Sequence, residues 1–226
     1  SLKNFKEIEI LKISESELIE KLEKENLPKI EKENLLNSIY TNKLEDIQKD
    51  FLEELINSHF KNEIVKLSQQ HESVHLEFKS SFRTDIKHGG KISRDIMINN
   101  IIKGIGGFCN TGGGDLLIGV SDDNNIIGIE VDGYDNTDHF LRSLHQQISN
   151  KTLPDVSKIP DCISITTFTT KKNKTICRIN VSPCYDDIFV KHKGDETFYF
   201  RNGPETTSLT GSALLKYSRD KKESRD

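Results

Sequence analysis

Apolar residues recur at three- and four-residue steps over the first seventy positions, and at two-residue steps over much of the remaining chain. In the first part, Ser14-Glu15-Ser16-Glu17 has the form of a capping box ahead of Leu18, Ile19 and Leu22, and Pro28 breaks that helix. Ile30, Leu35, Leu36 and Ile39 predict a second helix; Leu44, Ile47, Phe51, Leu55 and Ile56 predict a third. The composition changes near residue 68, so the chain divides into a helical region over 1–68, a domain over 69–220 and a charged tail over 221–226.

The stretch His71–Lys79, HESVHLEFK, opens the second part. Val74, Leu76 and Phe78 alternate with His75, Glu77 and Lys79, which predicts a strand with an aliphatic core face and a polar outer face. Glu72 falls before the strand, from where its carboxylate can bend back toward Glu77. Ser80–Lys91, with Arg83, Lys87, His88 and Gly89-Gly90, reads as a mobile basic loop. Ser93 is placed to cap a helix whose inner side carries Ile96, Ile101, Ile102 and Ile105. Beyond it lie a strand over Leu116–Val120, a turn at Ser121–Asn125 and a return strand at Ile126–Ile129. Thr137 is the expected cap of another helix, with Phe140, Leu141, Leu144 and Ile148 inward. Two hairpins come next, 163–169 with 175–181 and 188–193 with 197–201, and then a last helix from Thr210. Strands and helices mix without regular βαβ alternation, so the expected class is α+β with a mixed or antiparallel sheet.

Composition narrows the function. Of the net charge of −4, residues 1–70 carry all, with 15 acidic and 11 basic side chains, leaving the remainder neutral with 21 of each. That excludes a strongly basic domain, though not local basic clusters. No apolar run approaches membrane-spanning length. Cys109, Cys162, Cys177 and Cys184 are far apart in sequence with no CxxC, which argues against structural zinc and predicts reduced thiols in a cytoplasmic protein.

The run Asn110–Asp115, NTGGGD, is not a phosphate loop. It comes after a helix and precedes a strand, the reverse of what such a loop requires, and reads instead as a tight turn. Glu77-Phe78-Lys79 has the E-x-K form in which an acid holds metal and a lysine faces the phosphate, and Asp122 ends a buried strand.

Glu72-x4-Glu77-Phe78-Lys79, Gly107-Phe108-Cys109-Asn110-Thr111-x-Gly113-Gly114, Leu117-Ile118-Gly119-Val120-x-Asp122 and Phe198-Tyr199-Phe200-Arg201-Asn202-Gly203 occur in an order that resembles the Schlafen AlbA_2 domain family, over roughly residues 70–218. The sequence departs from the family at Gly107 and Cys109, where alanines are usual, and lacks the closely spaced Cys/His set of the vertebrate zinc site. The resemblance implies nucleic-acid binding and, as in the RNA-cleaving members, a metal-dependent endoribonuclease acting on structured RNA such as tRNA. Glu72, Glu77 and Asp122 would then hold Mg2+ or Mn2+, and Lys79 would face the phosphate. Arg83, Lys87, Lys171, Lys172, Lys174, Lys191, Lys193 and Arg201 are the candidates for tracking a nucleic-acid backbone. Many bacterial members are described as DNA-binding modules, so a non-catalytic, regulatory DNA- or RNA-binding module is the alternative. Because vertebrate members place two such lobes around RNA, a homodimer is also expected.

Overall fold

The computed structural model describes residues 63–223. The helices expected from periodicity over the first part of the chain, with their capping box and the Pro28 break, lie outside these residues. Within them, two four-stranded sheets enclose one helix. The elements that position the site are β1 (Leu76–Lys79), α1 (Arg94–Asn110), β2 (Gly114–Ile118), α2 (Thr137–Lys151), β3 (Thr152–Leu153), β4 (Ile163–Thr169), β5 (Thr175–Val181), β6 (Phe189–His192), β7 (Asp195–Asn202), β8 (Glu205–Leu209) and α3 (Gly211–Glu223). The first sheet has the order β1-β2-β5-β4, with β1 and β2 parallel and the other pairs antiparallel. The second sheet, β3-β6-β7-β8, is antiparallel throughout. The class is α+β.

Helix α1 is the centre of the core. Ile98, Ile101, Ile102, Ile105, Phe108 and Cys109 are buried together with Leu116, Ile118, Cys177 and Ile179 of the first sheet and Val190 of the second. From Gly104 to Asn110 every residue of the helix is buried, so it must be covered on all sides there, and glycines let the covering elements approach. A Cβ at Gly104 would stand 3.0 Å from Leu116 Cδ1, and one at Gly106 would stand 2.8 Å from Val190 Cγ2. Helix α2 adds Phe140, Leu144 and Ile148 to this core. Ile96, expected on the inner side of α1, is 40% exposed, and Ile98 takes the inward place.

The opposite face of the first sheet is also covered. Leu76, Phe78, Leu117, Val120 and Ile176 pack with Ile64 and Leu67 from the helical residues 63–68. On this face Arg178 joins Glu63 at 2.8 Å and Asp115 at 2.7 Å.

Several expectations change in detail. The return strand at 126–129 is a single bridge, Val120 to Ile126, succeeded by a 3-10 turn over Ile129–Asp132. Asn136, not Thr137, caps α2, its side chain accepting from the His139 N–H. The strand β8 was not foreseen. Ser93 does stand at the cap of α1, but without a side-chain hydrogen bond. Residues 221–223, assigned to the tail, are helical, and Lys221 is buried.

Candidate functional site

The free edge of β1 positions the first acid. His75 O and Lys79 O accept from Asp115 N–H and Gly119 N–H of the neighbouring chain segment, so Leu76 and Phe78 turn their polar backbone groups outward. Each of those groups has a partner. Leu76 O accepts from Ser73 N–H at 2.9 Å, and Leu76 N–H donates to Ser73 O. Phe78 N–H donates to Glu72 Oε1 at 2.7 Å, and Phe78 O accepts from Lys79 Nζ at 3.0 Å. Glu72 thereby closes an edge that would otherwise be open to another strand.

Glu77 points the other way, toward α1. The alternation predicted an exposed face for it. Instead it is 8% exposed, because α1 covers that face of the sheet. A buried carboxylate needs a counter-charge, and two are present. Lys79 Nζ stands 2.6 Å from Oε1, and Arg201 Nη1 donates to Oε2. Arg201, expected to track a nucleic-acid backbone, is 3% exposed and turned inward. Its Nη2 donates to Ser73 O at 2.7 Å, its Nη1 also to Thr206 Oγ1 at 2.9 Å, and its guanidinium lies 4.7 Å from the Phe108 ring centre. It is an internal counter-ion.

Asp122 emerges beyond β2 with its side chain 57% exposed, and Lys87 Nζ donates to it. The three acids therefore do not converge. Among the described residues, the one group of three potential ligands within 4.8 Å of one another is Cys109, Cys162 and Cys184. With Glu72 on a backbone N–H, Glu77 between two cations and Asp122 on a lysine, the carboxylates as arranged do not fit a Mg2+ or Mn2+ cradle, which requires several oxygens turned to one point.

The cysteines also differ from expectation. Cys162 and Cys184 are joined as a disulfide across 22 residues, and Cys109 Sγ lies 3.8 Å from Cys162 Sγ. Sequence spacing conceals this because the β4–β5 hairpin returns the chain to its start. Burial pushes the Cys109 thiol up to about 12, so it is held protonated.

The loop over 80–91 is not loose. The buried Asp132 accepts from the N–H groups of Phe82, Arg83 and Thr84 at 2.8, 2.8 and 3.0 Å. Asp85 accepts from His88 N–H and Ile92 N–H. Burial alone would raise the Asp85 pKa, but these donors and the His88 imidazole lower it. Arg83 is fixed over the Tyr134 ring at 3.8 Å, its Nε–H donating to Asp132 O.

Topology then collects the basic side chains. The parallel strands β1 and β2 end together, and the β4–β5 turn lies at the same end, with Thr175 O 3.0 Å from where a Cβ on Gly119 would stand. Arg83, Lys87, Lys171, Lys172 and Lys174 therefore share one pole of the first sheet with Asp122. Lys171 and Lys172 are exposed and Lys174 is half-buried. Lys191 and Lys193 belong to β6 and the β6–β7 turn, beside His192, which pairs with Asp95 at 2.8 Å.

Asp132, Asp85 and Asn110 escaped the sequence reading. Asn110 Nδ2 donates to Ile188 O and Tyr199 O, its Oδ1 accepts from Ile188 N–H, and its backbone O accepts from the Tyr217 hydroxyl. A polar residue closing the run Gly104–Cys109, which has no other polar side chain, was its available signal. The NTGGGD run is the tight turn it was expected to be. Gly113 has φ 73°, and a Cβ there would stand 2.5 Å from Val181 O.

Comparison with known proteins adds the family. The model described as Schlafen, AlbA_2 matches residues 72–210, more than half of the chain. No curated protein matches it. Among the described residues no helix is long and apolar enough to cross a membrane.

Proposed function

Since this chain belongs to the Schlafen AlbA_2 family, whose domain points to nucleic-acid binding, we propose that it binds the phosphate backbone of structured RNA such as tRNA at the pole carrying Arg83, Lys87, Lys171, Lys172 and Lys174. One observation supports this above the others: the loop over 80–91 is pinned by Asp132 beside the lysine-bearing β4–β5 turn. Pre-placed cations release counter-ions on binding without first paying to order a loop. Arg201 takes no part, and Lys191 and Lys193 are an extension rather than the centre.

The test is fluorescence anisotropy with mixed tRNA and with single-stranded DNA, each titrated over a range of salt. Replacing Lys171, Lys172 and Lys174 together by alanine is expected to weaken binding and to flatten the salt dependence by roughly one counter-ion per lost contact. Unchanged affinity and slope would remove this pole from the interface.

The endoribonuclease reading rests on the family and on Glu77 lying in β1 with Asp122 just past the end of β2, its parallel neighbour. It keeps Glu72, Glu77 and Asp122 as the acids, Lys79 as the phosphate-facing cation and Mg2+ or Mn2+ as the ion. In the arrangement described these acids are held by the protein's own donors, which favours the binding module. Metal-dependent tRNA cleavage abolished by Glu77→Ala and Asp122→Ala in folded protein would reverse that preference.

A further inference from the structure

The first sheet has two edges, and they are treated differently. The β1 edge is closed by Ser73, Glu72 and Lys79. The β4 edge is not closed by anything among the described residues. In the β4–β5 hairpin, Thr170 N–H donates to Lys174 O and Ser182 N–H donates to Cys162 O. The even-numbered residues of β4 therefore face β5, and Ile163, Ile165, Thr167 and Thr169 direct their N–H and C=O groups outward. The strand is seven residues long, ISITTFT, with no charge, proline or glycine to discourage pairing.

We propose that this edge is a homodimer interface, in which β4 pairs antiparallel with β4 of a second copy across a two-fold axis at Thr166. The occupant is chosen by self-complementarity. Full overlap of the seven-residue strand with its own copy sets Ile163 opposite Thr169 and Ile165 opposite Thr167, so that every outward backbone group meets one. On the other face Ser164 meets Phe168, and Thr166 meets Thr166. The same register carries past the strand ends and brings Asp161 of each copy opposite Lys171 of the other, both exposed. An unlike charge at each end and none between is what an isologous β-pairing requires. The two four-stranded sheets become one of eight strands, with both α1 helices on one face.

The proposal is tested on the full chain. Wild type is expected to sediment as a dimer. Thr167→Pro removes an outward N–H that has no partner among the described residues, costing two hydrogen bonds per dimer, and should raise the dissociation constant about thirtyfold. Thr167→Lys, a second variant at the same exposed position, should act in the same direction by charge repulsion. Far-UV circular dichroism matching wild type would establish that both monomers fold. Thr166→Cys reports the register. Opposed residues in a non-hydrogen-bonded pair have Cα atoms about 4.5 Å apart, within disulfide range, so mild oxidation should cross-link Thr166→Cys across the axis, whereas Phe168→Cys should not cross-link. A monomeric wild type, a dimer indifferent to both Thr167 variants, or cross-linking at 168 and not at 166 would each overturn the proposal.

Discussion

Arg201 Nη1 donates to Glu77 Oε2 in a pair whose guanidinium side chain is 0% exposed and whose carboxylate side chain is 10% exposed, across 124 residues of sequence. This contact ties the second sheet to the first through the glycine-lined flank of α1. Thr206, Ser73 and Phe108 complete the surroundings of the guanidinium.

Removing one partner from such a pair leaves the other charge buried. Arg201→Ala is expected to lower stability by about 3 kcal/mol or more, while truncating the exposed partner in Lys87→Ala should change it by under about 1 kcal/mol. Urea denaturation of both variants measures the difference. Equal, small shifts would show that Arg201 is not an internal counter-ion.

Asn110 joins α1 to β6, β7 and α3 through its side chain and carbonyl. Asn110→Ala leaves Ile188 N–H and O and Tyr199 O short of their buried partner, with an expected loss of about 2–4 kcal/mol. Asn110→Asp should also be costly, because the Nδ2 donors are gone. Thermal unfolding of the two variants would check this, and a wild-type midpoint for either would contradict it.

Neighbouring glycines in α1 should respond differently to alanine. At Gly106 the new Cβ would stand 2.8 Å from Val190 Cγ2, whereas at Gly107 the nearest atom is Thr206 Cγ2 at 3.2 Å. Gly106→Ala is expected to cost about 1–3 kcal/mol by overpacking and to be partly relieved by Val190→Ala. Gly107→Ala should fall within about 1 kcal/mol of wild type, in keeping with the alanine usual in the family. The denaturation midpoints decide it; a reversed order would mean that β8 gives less than β6.

Asp122 places a negative charge in the basic pole and engages Lys87. Asp122→Asn is therefore expected to tighten tRNA binding about two- to fivefold at low salt, an advantage that fades as ionic strength rises. Anisotropy titrations at two salt concentrations give the answer, and weaker binding would mean that the carboxylate supports the ligand instead.

Acid should loosen the fold through Asp155. Burial raises its pKa, but hydrogen bonds from Ser149, Ser157 and Lys158 prevail and bring it down to about 2. A depressed folded value means stability that is present above the unfolded value of about 4 and lost as pH falls from there toward about 2. Allowing for solvent screening, the contribution is about 1–2 kcal/mol. Asp155→Asn should thus be less stable than wild type at neutral pH, and the gap between their melting temperatures should close near pH 2. A gap that persists into strong acid would assign the loss to packing instead.

Local order was legible in the sequence wherever a single periodicity decided it. Two-residue alternation marks β1 and the β4–β5 hairpin, and helical spacing marks α2 through Phe140, Leu144 and Ile148, because burial on one face is a property of residues close along the chain. The motif order, from Glu72 through Asp122 to Gly203, likewise belongs to the sequence and identifies the family. Tertiary structure decided what charge and polarity mean. Glu77 has the parity of an outer face, yet α1 covers that face and Arg201 supplies its counter-ion. The loop over 80–91 has the composition of a mobile segment, yet Asp132, fifty residues away, satisfies its backbone. Cys162 and Cys184 meet only because a hairpin brings the chain back. Periodicity tells which side of an element avoids water; which distant group neutralises a buried charge or accepts from an orphan N–H depends on how the elements stack.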